Sequence, residues 1–207
     1  MTDLILLRHG ETVGQSSIRL YGATDIALSP IGEQQVSRAA AVLKDHHFVR
    51  VLSSPLQRAR RSAEIVRAAL ADAPPLEIVP GFREIDFGAW EGWTYAEAQS
   101  RDPDGYARWL SEGHAFTYPG GESRSGFLAR IADAATAIDP ARGPTLVVIH
   151  KGVIKATLAA LLARPAAELA ERAVSLASLH RLRHDGQRWQ LLGDGETAHL
   201  GDLDLGG

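Results

Sequence analysis

Two unbroken apolar runs, each followed at once by a histidine, constrain this chain most. Leu4-Ile5-Leu6-Leu7 leads into Arg8-His9-Gly10-Glu11-Thr12, and the run from Thr145 to Ile149 leads into His150-Lys151-Gly152. Residues apolar at successive positions, not alternate ones, belong to strands buried on both faces, as in parallel sheets covered by helices. Ligands of such sheets bind beyond the carboxyl ends of the strands, where helices begin. Either histidine alone reads as a turn residue at a strand end. Two in equivalent places, one preceded by arginine, point to a site.

The segments between supply the helices. Ser29 is an N-cap with Pro30 at the first helical position, and the helix should run to about Lys44. Residues 49–52 read as a strand, 55–70 as a helix, and 76–79 as a short strand after Pro74-Pro75. Residues 86–119 are rich in Gly and Trp, with short helices expected at 95–100 and 105–112. Gly120-Gly121-Glu122-Ser123 opens a helix to about Ile138, with Glu122 favourable at its N-terminal dipole. A helix at 153–163 and late strands at 174–182 and 188–192 follow, and Gly206-Gly207 reads as a loose tail. Strands alternating with helices give an α/β fold: one domain over residues 1–207, a three-layer sandwich with a mostly parallel central sheet and helices on both faces.

Composition narrows the chemistry. A net charge of -3 argues against a general binder of nucleic acid or of anionic membranes, so an anion site must be a local pocket of Arg and His. The count of zero cysteines removes disulfides, thiolate zinc sites and a cysteine nucleophile, and fits a cytoplasmic protein. No apolar stretch is long enough to span a bilayer, and the run at residues 4–7 is too short for a signal segment. No carboxylate or histidine cluster has metal spacing, so neither metal nor cofactor is expected.

Two further segments draw attention. Ser53-Ser54-Pro55-Leu56-Gln57-Arg58-Ala59-Arg60-Arg61 places Arg58 in the first turn of a helix, where a cation opposes the macrodipole. A shared anionic ligand would resolve that conflict; a solvated surface charge is the plain alternative. Arg83-Glu84-Ile85-Asp86-Phe87-Gly88-Ala89-Trp90-Glu91-Gly92 places Glu84 beside apolar neighbours, where a carboxyl of raised pKa serves as a proton donor. A loop salt bridge between Glu84 and Arg83 is equally open.

Taken in order, Arg8-His9-Gly10-Glu11-Thr12, Ser53-Ser54-Pro55 with Arg58-Ala59, Arg83-Glu84 through Gly92, and the strand ending at His150 resemble the histidine phosphatase superfamily, the phosphoglycerate mutase-like group. The resemblance spans nearly the whole chain. It implies that His9 is the nucleophile carrying the phosphoryl group, that Arg8, Arg58 and His150 clamp the phosphate oxygens, and that Glu84 protonates the leaving alcohol. It implies a phosphomonoester hydrolase without a metal, acting on a small phosphorylated substrate.

Secondary positions follow the same resemblance. Gln15, Ser16 and Ser17 lie in the loop after the nucleophile, although Gly14-Gln15 stands where many relatives resemble Trp-Asn. Gly22 and Thr24 in Tyr21-Gly22-Ala23-Thr24-Asp25 are either ligand contacts or parts of a tight turn. Lys151 departs from a His-Gly-Gly pattern and either adds charge near the phosphate or points to solvent. His114 falls near the pocket mouth, and His46, His47, His180, His184 and His199 read as surface or structural residues. The tryptophans between residues 90 and 109 are read as exposed, a homodimer contact or a pocket lid. Two other functions stay in view: a mutase, whose relatives are typically longer, and a non-catalytic phosphate-binding module.

Overall fold

The computed structural model describes residues 1–205; the tail at residues 206–207 lies outside the described residues. Six strands form one sheet in the order β3-β2-β4-β1-β5-β6. They are β1 (Thr2–Arg8), β2 (Arg50–Ser53), β3 (Leu76–Ile78), β4 (Thr145–Ile149), β5 (Leu179–His184) and β6 (Trp189–Glu196). The first four run parallel, while β5 is antiparallel to both β1 and β6.

Alternation along β1 explains the layers. Ile5 and Leu7 pack with Val36, Ala39 and Leu43 of α1 (Pro30–Leu43) and with Ala63 and Val66 of α2 (Gln57–Ala69). Leu4 and Leu6 face the other way, toward Phe127 and Ile131 of α5 (Arg124–Ala134) and Val153 and Leu158 of α6 (Lys151–Leu162). Successive side chains of a strand point to opposite faces, so an all-apolar strand needs cover on both. The three-layer α/β sandwich with a mostly parallel sheet is therefore the observed fold. Two short helices, α3 (Tyr95–Arg101) and α4 (Pro103–Glu112), sit in the long connection before α5. None of the helices is long and apolar enough to cross a membrane, among the described residues.

Local signals account for the helix starts. Ser29 Oγ accepts from the Gly32 amide at 3.1 Å, and Thr94 with Glu97 forms a reciprocal capping box on α3. The start of α2 differs from the sequence reading. It begins at Gln57, not Pro55, and its N-cap residue Leu56 offers no side-chain acceptor. Asp25 reaches over from a distant loop, and its Oδ1 accepts from the Gln57 amide at 2.7 Å. The cap comes from outside the helix, so the local sequence did not carry it.

The late strands also shift. Residues 174–178 are not strand, although Val174, Leu176, Ala177 and Ser178 are fully buried. Their polar groups serve the loop after β1 instead: Ala177 N donates to His9 O at 3.2 Å, and Arg8 N donates to Ser178 O at 3.2 Å. Burial of Val174, Leu176 and Ala177 outside a regular ladder produced a pattern that reads as a strand. β6 continues to Glu196, and α5 ends at Ala134 in a 3-10 turn, short of Ile138. The tryptophan reading changes as well. Trp90 is wholly buried, with its indole N–H on Asp102 Oδ2 at 2.9 Å, and Trp109 is half-buried.

Close backbone approach fixes how the β1 end meets α1. A Cβ on Gly32 would lie 2.0 Å from the Glu11 carbonyl oxygen, and one on Gly10 would lie 2.3 Å from the Gly32 carbonyl oxygen. Gly32→Ala therefore forces backbone to move. Its expected cost is about 2–3 kcal/mol of stability, read as a lower urea midpoint with unchanged slope; a midpoint equal to wild type would show that this contact is loose.

Candidate active site

The parallel register of β1 and β4 pairs Arg8 with Ile149, so both strands end together. The His9 amide extends the pairing, donating to Ile149 O at 3.0 Å. As a result the two imidazoles meet edge to face, with ring centroids 5.1 Å apart. Both are buried, at 3% and 1% exposure.

Each ring is held by a neutral partner. His9 Nδ1 lies 2.7 Å from the Gly10 carbonyl oxygen. A carbonyl only accepts, so Nδ1 carries the proton and the Nε2 lone pair is free. His150 Nε2 shares a 2.7 Å hydrogen bond with Ser54 Oγ, which places the end of β2 in the same cluster. Burial, with Arg58 and Arg8 nearby, holds the His9 pKa well below 6.5. Burial, Arg58 and His9 do the same for His150. Both rings are neutral near pH 7.

The two arginines are anchored by backbone. Arg8 Nη1 donates to Val174 O at 2.6 Å. Arg58, fully buried, donates through Nη1 to Thr24 O at 2.9 Å and through Nη2 to Tyr21 O at 3.0 Å and Gly22 O at 2.8 Å. Burial is the main cause of a lowered pKa in both, reaching about 10 for Arg8, so both remain cations at neutral pH. Their Nε atoms and His150 Nδ1 are buried with no hydrogen-bond partner among the described residues. Donors left so cost ~1–3 kcal/mol each, a cost that a bound oxyanion removes.

Glu84 completes the cluster. It is buried at 6% exposure, and its oxygens accept from the Ile85 amide at 3.0 Å and the Gly152 amide at 2.9 Å. Burial raises its pKa against the opposing pull of those two amides, Arg58 and Arg8. A Cβ on Gly152 would stand 2.6 Å from Glu84 Oε1, so any other residue there would push the carboxyl from its place. No bond joins Glu84 to Arg83. Arg8, His9, Glu84 and Lys151 line a cavity of about 450 Å3.

The family model of the histidine phosphatase superfamily (branch 1) matches residues 4–197. The chain belongs to that superfamily. The bifunctional protein Rv2228c of Mycobacterium tuberculosis is 40% identical over 86% of this chain, which spans only 49% of that protein's length. Phosphoserine phosphatase 1 of Hydrogenobacter thermophilus is 30% identical, covering 98% of this chain and 96% of its own. Among solved structures, the α-ribazole phosphatase of Shigella flexneri superposes with a TM-score of 0.85 at 25% identity, over 95% of this chain and 97% of its own.

In this member of the superfamily the other residues singled out from sequence divide into three groups. Ser16, Ser17 and Lys151 line the cavity. Ser16 Oγ donates to Glu11 Oε1 at 2.9 Å and the Ser17 amide to Glu11 Oε2 at 3.3 Å, so Glu11 shapes that wall. Gly22 and Thr24 turn their carbonyls to Arg58, and neither lines the cavity. Gln15 is exposed, outside the cavity, at a positive φ of 63°. Lys151 is half-buried, its pKa held down to about 8 by burial and then by Arg8 and Lys155.

Several functional neighbours escaped the sequence reading. Glu91 accepts from the amides of Gly22, Ala23, Thr24 and Phe87, and so aims the carbonyls that hold Arg58. Glu122, by contrast, was singled out in the sequence for the helix dipole; it pairs with Arg130 at 2.6 Å and does not line the cavity. Behind His9, the 174–178 segment is tied down by a buried chain: Ser178 Oγ and His180 Nε2 at 3.3 Å, His180 Nδ1 and Asp194 Oδ1 at 2.7 Å, and Asp194 with Arg172. The signal for Glu91 was its place in a motif already quoted; the Asp194 chain had none. Among the described residues no three His, Asp or Glu side chains gather as a metal site.

The depressed imidazoles make stability depend on pH. Below pH 6.5 an unfolded histidine takes up a proton that folded His9 refuses, so the unfolded chain binds more protons and stability falls with falling pH. His9→Asn, which keeps a donor for Gly10 O, should flatten the stability slope between about pH 6 and pH 5 by up to one proton, or ~1.4 kcal/mol per pH unit. Denaturation at several pH values measures it, and an unchanged slope would show that His9 titrates like a free imidazole.

Proposed function

We propose that this chain hydrolyses phosphomonoesters through a phosphohistidine at Nε2 of His9. The observation that carries the reading is the His9 Nδ1 bond to the Gly10 carbonyl at 2.7 Å. It fixes the tautomer, orients the ring, and leaves the other nitrogen as a nucleophile without prior loss of a proton. The phosphatases among the relatives support the same class of reaction.

The reaction balances as two displacements at phosphorus. In the first, the Nε2 lone pair forms the N–P bond while the ester P–O bond breaks and its electrons leave on the alcohol oxygen. Glu84, whose buried carboxyl holds its proton to higher pH than an ordinary one, gives that oxygen the proton. In the second, Glu84 as carboxylate takes a proton from water, the water oxygen bonds to phosphorus, and the N–P bond breaks. Arg8, Arg58 and Lys151 supply positive charge for the three equatorial oxygens, with His150 as a neutral donor beside them. The partner is a small phosphorylated molecule, and turnover should persist in excess chelator.

His9→Asn should lower turnover of 4-nitrophenyl phosphate roughly a thousandfold or more and abolish the acid-labile, alkali-stable phosphoprotein seen after rapid quench. Such a phosphoprotein persisting in the variant would place the intermediate elsewhere. Glu84→Gln should cost ~10²–10⁴ in kcat on alkyl phosphates and far less on nitrophenyl phosphate, whose leaving group needs no proton. Equal losses on the two substrates would remove Glu84 as proton donor.

A further inference from the structure

A cavity of about 450 Å3 has the size of a whole small-molecule site, ~300–1,000 Å3, and not of a phosphoryl group alone. The wall away from the histidines is aromatic. Tyr95 and Trp109 pack as a tilted ring pair with centroids 5.1 Å apart, and the Trp109 indole N–H donates to Tyr118 Oη at 3.2 Å. Arg124, in the first turn of α5, lines the same wall with its guanidinium over the Trp109 ring, 5.9 Å from the centroid.

Arg124 differs from Arg19 and Lys155, and unlike Lys151, which follows His150 at the reacting end, it lies against the aromatic wall. Arg19 is engaged by Glu97 at 2.8 Å and by Gly92 O at 2.7 Å. Lys155 donates to Ala170 O and feels Glu171. The Arg124 guanidinium, by contrast, has no carboxylate and no hydrogen-bond acceptor among the described residues, only the indole face. It is half-buried, so part of its hydration is already lost. The indole holds the planar group in place and leaves its N–H edge free, a geometry suited to a carboxylate or phosphate. The charges of Arg124 and Glu84 both act on Tyr95 and Tyr118, which line the same cavity.

We propose that Arg124 binds a second anionic group of the substrate, making the substrate class a phosphomonoester that carries a carboxylate or a further phosphate beyond a flat or apolar spacer. The phosphoryl end rests on the function proposed above. The aromatic wall takes the spacer, and Arg124 sets the distance between the two anions.

Three non-hydrolysable phosphonates test this by calorimetric titration of the full chain, independently of turnover: benzylphosphonate, 4-carboxybenzylphosphonate and 1,4-xylylene bisphosphonate. At least one doubly anionic compound should bind roughly tenfold to a hundredfold tighter than benzylphosphonate, the range of one charge-assisted hydrogen bond. Preference for the carboxylate or for the second phosphonate tells which anion is read. In Arg124→Gln that ratio should fall to near one, and Arg124→Lys should retain part of it. Equal binding of all three by the wild type, or a ratio that survives Arg124→Gln, would overturn the proposal. Tight and selective binding without any phosphate release from phenyl phosphate would instead defeat the hydrolase reading while leaving the second anion site standing. Binding of none of the three would defeat both.

Discussion

The pairing of β1 with β4 is the constraint on which the rest depends. Two strands distant in sequence end at the same height because Arg8 lies opposite Ile149 and the His9 amide adds one further bond to the ladder. A slip of one residue in either strand would turn its side chains to the other face. The apolar core forbids that slip, since Leu4 and Leu6 pack on one side of the sheet and Ile5 and Leu7 on the other. The energy that orders the two imidazoles is thus hydrophobic burial over the whole strand, and the chemistry at its tip inherits that order.

Around this seam the protein confines positive charge. Arg8 and Arg58 repel each other and lose most of their hydration, yet both remain because carbonyl oxygens replace water. Those carbonyls belong to loops, and loops hold a direction only when something fixes them. Glu91 ties the amides of residues 22–24 so that their carbonyls face Arg58, while Ser178, His180 and Asp194 brace the segment that faces Arg8. Field and geometry are set before any ligand arrives, which is the form of electrostatic stabilisation that costs no reorganisation during reaction.

Legibility followed the range of the interactions. Ser29 was readable as a cap because its acceptor and the Gly32 amide lie three residues apart. The strand-end histidines were readable because an apolar run and its terminus are local features. Arg58 was readable as an oddity, a cation in the first turn of a helix, but its answer was not. Asp25 caps that helix from a loop more than thirty residues away, and the carbonyls of Tyr21, Gly22 and Thr24 take its donors. Residues 174–178 misled for the same reason. Val174, Leu176 and Ala177 are apolar because they are buried, and the segment packs at the end of β1 and the loop after it, which no local pattern reveals.

The sequence by itself determined the α/β alternation, the two-faced burial of the central strands, the family, and the set of side chains that gather at the strand ends. All of these depend on periodicity or on motifs within a few residues of each other. Only the tertiary structure decided which nitrogen of His9 is free, which arginine faces carbonyls and which an indole, and how far Glu84 is pushed from an ordinary carboxyl. Those properties depend on solvent exclusion and on partners drawn from the whole length of the chain, and both exist only after the layers have closed.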